Sequence, residues 1–73
     1  MKHKRKFTRN QIGRPIDFAA FDGKLYNGRL VNVKRNSCCI WVIIDYYIPG
    51  LSIMGPFRAN LTYHQAKERV TVL

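Results

Sequence analysis

The first fourteen residues hold six cations, Lys2, Lys4, Arg5, Lys6, Arg9 and Arg14, and no acid. Ammonium and guanidinium groups at this density neutralise phosphates and release their counterions, which gives affinity for nucleic acid without sequence preference. Five such contacts on duplex DNA would give log K against log salt a slope of roughly −4 to −5. The same run also suits a solvated, solubilising tail, or a segment that meets an acidic protein or an anionic surface. It supplies +6 of the net charge of +9, leaving +3 for the rest of the chain.

A second group of candidates is Lys34, Arg35 and Asn36, in the tip between two predicted strands, with Lys24, Arg29 and Arg58 on flanking strands. Loop tips carry binding residues disproportionately. Ordinary turn chemistry and edge-strand lysines that block aggregation account for them equally well. Stacking on exposed aromatics is how small β-barrels hold single-stranded bases. Most aromatics of so short a chain are needed for the core. Tyr46 and Tyr47 are the exception, because consecutive strand residues face opposite ways and one of the two should meet solvent or a partner. Trp41 is a weaker stacking candidate.

Catalysis finds no support. Asp17, Asp22, Asp45 and Glu68 include no carboxylate pair that periodicity brings together, and Asp22 is accounted for by its turn. Ser37, Ser52 and the thiols have no recognisable triad partner or nucleophile elbow. His3 and His64 lie far apart, so neither a zinc site nor any cofactor is expected. Cys38 and Cys39 are adjacent; in a strand their side chains would point apart, which rules out a normal disulfide. Reduced structural thiols fit an intracellular, cytoplasmic protein. The basic start leads into Phe-Thr-Arg-Asn-Gln rather than an apolar run, unlike a signal peptide. Ile40–Ile44 is far shorter than the ~20 residues that span a bilayer.

These side chains need a scaffold. Seventy-three residues make one domain. A chain of that size buries only about 60% of its unfolded surface, which makes self-association a further route to stability. Pro15–Phe21 and Lys24–Lys34 read as strands joined by Asp22-Gly23, the signature of a tight primed hairpin turn. Gly28, inside the second strand, permits a sharp bend. Cys38–Tyr47 is rich in β-branched and aromatic residues and apolar on both faces, as a central strand should be. Leu51–Met54 continues a hairpin after Pro49-Gly50, and Phe57-Arg58-Ala59 forms a short strand. Thr62 and Gln65 have capping-box spacing for a single helical turn. Arg69–Leu73 closes the chain as a last strand. The expected organisation is a flexible basic arm over 1–14 and an all-β barrel over 15–73.

That order of elements resembles the SH3-like small β-barrels, in which one helical turn precedes the last strand. Ile16-Asp17-Phe18 followed by Asp22-Gly23-Lys24-Leu25-Tyr26-Asn27-Gly28-Arg29-Leu30 is similar to the first signature motif of the Sm-like branch, and Tyr63-His64-Gln65-Ala66 through Val72 resembles the end of bacterial Hfq-like chains. The resemblance implies a five-stranded barrel, ring assembly and RNA as ligand. Where Sm-like proteins carry an aromatic-Asp pair and a base-contacting Asn, this chain has Val33, Lys34 and Cys38; the second motif's Arg-Gly is absent, and the basic head replaces their first helix.

The sequence therefore predicts a non-catalytic nucleic-acid-binding barrel, with RNA somewhat ahead of DNA. Phosphate contacts would come from Lys2, Lys4, Arg5, Lys6, Arg9, Arg14, Lys34, Arg35, Asn36 and Arg58, and stacking from Tyr46 or Tyr47. The alternative is a protein-interaction or inhibitor module, of the kind common among phage and accessory genes, that binds an acidic partner by edge pairing or through an apolar patch near Ile48–Met54.

Overall fold

The computed structural model describes residues 7–51 and 55–73. Its first hairpin is organised by Asp22 and Gly23. The Asp22 carboxylate accepts hydrogen bonds from the Lys24 N–H at 2.9 Å and the Tyr26 hydroxyl at 2.6 Å. Gly23 takes φ +85° and donates its N–H to the Ala20 carbonyl at 3.0 Å. No non-glycine residue among those described has positive φ. The connection is thus a longer loop that ends in a left-handed glycine, and not the two-residue primed turn expected from Asp-Gly, which needs positive φ at both positions. It joins β1 (Pro15–Ala19) to β2 (Leu25–Arg35), paired from Ala19 opposite Leu25 to Pro15 opposite Arg29.

β2 is the longest strand, and one irregularity decides which of its residues enter the core. It pairs with β3 (Ile40–Tyr46) from Gly28 opposite Tyr46 to Leu30 opposite Ile44, and then resumes at Asn32 opposite Ile43. Val31 is the extra residue of a bulge. An added residue inverts the two-residue alternation, so Tyr26 and Leu30 are followed into the core by Val33 rather than by Asn32. Strict alternation would place Val33 on the opposite face from Leu30.

β4 (Phe57–Thr62) pairs along the far side of β3, and β5 (Val70–Val72) pairs with β1. The fold is all-β: a five-stranded antiparallel sheet in the order β4-β3-β2-β1-β5, with one short helix before the last strand. β4 and β5 are its two edges and the sheet does not close on itself, unlike the cylinder expected. The helix α1 (Tyr63–Arg69) packs against both edge strands and against β3 and β1. Its N-terminus is the reciprocal cap expected, with Gln65 N–H donating to Thr62 Oγ1 and Thr62 N–H donating to Gln65 Oε1, each at 3.1 Å. At seven residues it runs about two turns, longer than the single turn expected.

Phe7, Ile16, Phe18, Leu30, Val33, Val42, Ile44, Leu61, Ala66 and Val70 form the core. Phe7 is a member from outside the sheet. It is 2% exposed and meets Tyr63 edge-on, with ring centroids 5.8 Å apart. Residues 7–14, placed with the basic arm on sequence grounds, are packed and hydrogen-bonded. A single 3-10 turn spans Arg9–Gln11, the Gly13 N–H donates to the Leu30 carbonyl at 2.8 Å, and the Leu30 N–H donates to the Arg14 carbonyl at 3.0 Å.

Cys38 and Cys39 precede β3 instead of opening it. Asn36 Oδ1 accepts from both of their N–H groups, at 3.1 and 2.8 Å, and their free Sγ atoms lie 2.6 Å apart. The divergence of the two side chains expected of a strand does not occur in this turn. Residues 52–54, in the expected Leu51–Met54 hairpin, lie outside the described residues.

Candidate nucleic-acid interface

Arg9 and Arg35 come together at one end of the sheet. The 3-10 turn carries Arg9 there, and Arg35 is the last residue of β2. Both border a hollow of about 290 Å³ that is also lined by Phe7, Thr8, Val33 and Ile40. Its floor is apolar, since Phe7 and Val33 are core residues and Ile40 packs against them. Its rim carries two guanidinium groups, both exposed, and no carboxylate. A hollow of that size, with an apolar floor and a cationic edge, suits a flat heterocycle with an attached phosphate.

The rest of the expected set divides. Lys2, Lys4, Arg5 and Lys6 lie outside the described residues. In the sequence they precede Phe7, which lines this hollow. Lys34 neighbours Arg35 in β2 and so presents to the opposite face of the sheet, where it lines a second hollow with Trp41, Ile43 and Asn60.

Arg14, Asn36 and Arg58 have duties within the fold. Arg14 Nη2 donates to the Leu73 carbonyl at 2.7 Å. Asn36 organises the β2–β3 turn through its side-chain oxygen. Arg58 pairs with Asp45 at 2.9 Å, and that carboxylate raises the Arg58 pKa further above its already high value.

Tyr46 and Tyr47 do part, one inward and one outward. Tyr46 is enclosed by Phe18, Tyr26 and Phe57, with ring centroids at 5.0, 5.7 and 5.9 Å. Tyr47 is exposed and lies past the opposite end of β3 from Ile40, about 20 Å from the arginine hollow at 3.3 Å per residue. It lines a different hollow with Leu25, Tyr26, Asn27, Ile48 and Pro49. Neither tyrosine shares the basic end.

Sequence reasoning missed the floor of the arginine hollow, because nothing about Phe7 within a charged run marks it as a core residue. Trp41 faces outward, because positions 41, 43 and 45 alternate with the buried Val42 and Ile44. No cluster of three or more His, Cys, Asp or Glu side chains occurs among the described residues, and none of their helices is long and apolar enough to cross a membrane. Compared with protein-family models, curated proteins and solved structures, the chain matches none.

Proposed function

We propose that this protein is a non-catalytic binder of nucleic acid, favouring single strands and RNA ahead of DNA. The observation that carries the reading is the meeting of Arg9 and Arg35 over an apolar-floored hollow whose lining residue Phe7 follows directly on the cationic residues 2–6 in the sequence. A net charge of +9 on 8.5 kDa supplies the long-range attraction to a polyanion. The hollow admits one unstacked base, which a single strand offers and a duplex does not. The likeness of Ile16–Leu30 to the Sm-like motif points the same way.

The test is anisotropy of an end-labelled ten-nucleotide single-stranded RNA with the wild type and with a protein carrying Arg9→Ala and Arg35→Ala together. Both side chains are exposed, so the double variant should melt with the wild type and bind at least about a hundredfold more weakly, as expected for two lost charge-assisted contacts of about 1.5–3 kcal/mol each. Equal affinity of the two proteins would contradict the reading.

One observation favours a second reading, a protein-interaction module. Leu25 is 66% exposed and Tyr47 and Leu51 are exposed too, at the end of the molecule away from the arginines. A purified sample free of nucleic acid that captures one acidic protein would support that module.

A further inference from the structure

The outward face of β2, β3 and β4 is ordered into rows by the strand register. Lys34, Trp41 and Thr62 stand side by side across the three strands. The next row is Asn32, Ile43 and Asn60, and the one after it Arg29, Asp45 and Arg58. Side chains directly opposite each other on one face have β-carbons about 5 Å apart, so each row is a contact group. The bulge at Val31 brings this about: without the inserted residue, Asn32 and Lys34 would turn inward and Val33 outward.

Trp41 and Ile43 therefore form an apolar strip, flanked by a lysine and by asparagines on both sides. Trp41 is half-buried, and with Lys34, Ile43 and Asn60 it lines a hollow of about 220 Å³. The charge of the three rows is positive. Lys34, Arg29 and Arg58 stand against Asp45 alone, and Asp45 is already paired with Arg58. Successive rows are two residues apart, about 6.6 Å along the strand, comparable with the step between phosphates of an extended nucleic-acid chain.

We infer that Trp41 is the stacking residue of the interface, holding a base of a single-stranded nucleic acid on the outward face of the sheet while Lys34 contacts an adjoining phosphate. The inference deepens the reading proposed above and rests on it. It gives the stacking role, expected of Tyr46 or Tyr47, to an aromatic at the same end of the sheet as Arg35. Indole is the largest π surface among the side chains, and stacking of this kind is tolerant of base identity. Asn32 and Asn60 place amides beside the strip, where base edges would lie. Lys34 and Arg35 project to opposite faces at the end of β2, so a strand crossing that end meets Trp41 on one side and the arginine hollow on the other.

Trp41 is the single tryptophan of the chain, so its emission reports this site alone. The experiment titrates the wild-type protein with unlabelled ten-nucleotide oligouridylate while following tryptophan fluorescence. In parallel, anisotropy of the labelled oligonucleotide is measured with wild type, Trp41→Phe and Trp41→Thr. The expected results are saturable quenching, affinity weakened about tenfold in Trp41→Thr, and affinity largely kept in Trp41→Phe. Melting curves check that each variant is folded; should Trp41→Thr not fold, quenching of the wild type and its loss of affinity on Lys34→Ala decide. Binding by anisotropy without quenching, and unchanged by either substitution, would overturn the role of Trp41 and leave the arginine interface standing. No binding of the oligonucleotide by the wild type would remove both. Quenching by a polyglutamate peptide and not by the oligonucleotide would assign this face to an acidic protein, and would equally overturn the inference.

Discussion

Gly28 lies so close to the backbone of Asp45 that a β-carbon built on it would run into the Asp45 carbonyl oxygen and crowd the Tyr46 Cα. The glycine is required by approach and not by φ, since its backbone is outside the left-handed region. The obstruction is backbone on β3, with no flexible side chain to move aside. Gly28→Ala should therefore cost about 3 kcal/mol through forced separation of β2 from β3. The midpoint of urea unfolding measures it; a midpoint equal to the wild type's would mean that the two strands part freely.

Phe7 anchors residues 7–14 to the core. Phe7→Ala removes a fully enclosed ring from beside Tyr63, at a cost of about 3–5 kcal/mol, which a domain this small cannot absorb. Deleting residues 1–6 should leave the melting temperature within a few degrees and weaken nucleic-acid binding. The pair of variants separates anchoring from grip, and circular dichroism with anisotropy reads both.

The first hairpin carries a pH dependence at each end of the scale. The Tyr26 hydroxyl, chiefly, and the Lys24 N–H hold the Asp22 pKa below its ordinary 3.8. That contribution is present above 3.8 and is lost as pH falls through the lowered value of the folded state. The Asp22 hydrogen bond, with burial second, raises Tyr26 above its ordinary 10.0. Its contribution is present below 10.0 and is lost as pH rises through the raised folded value. Tyr26→Phe removes the shared hydrogen bond, so its melting temperature should fall less steeply than the wild type's at both extremes. Parallel pH profiles of the two proteins would mean that the hydrogen bond is not carried in solution.

Features set by a few neighbouring residues were legible in the sequence. The Thr62–Gln65 cap is a local device that forms as expected. Asp22-Gly23 and Gly28 fall at a hairpin and inside β2 as expected, though the turn is longer than a primed pair and the glycine serves close approach to Asp45 in an open sheet. What was hidden depends on distant partners. The bulge at Val31 exists because β3 supplies one residue fewer than β2, and nothing in β2 alone announces it. β4 extends to Thr62, past the Ala59 expected, because β3 offers a full ladder of partners as far as Trp41. Phe7 is drawn into the core by Tyr63 and the end of β2, against the polarity of its own segment. The candidate interface follows the same division. The cations were visible as composition, but the grouping of Lys34 with Trp41 is a product of register, and that of Arg9 with Arg35 comes from the packing of Phe7 and the 3-10 turn at the end of the sheet.

The central claim is that a cationic arm and the Arg9–Arg35 end of the sheet grip the phosphates of a single strand. The most direct measurement is the affinity for single-stranded RNA as a function of salt. Six contacts, from Lys2, Lys4, Arg5, Lys6, Arg9 and Arg35, should make log K fall against log salt with a slope of about −4. Removing Arg9 and Arg35 should bring it to about −3. An affinity that does not change with salt would contradict the account.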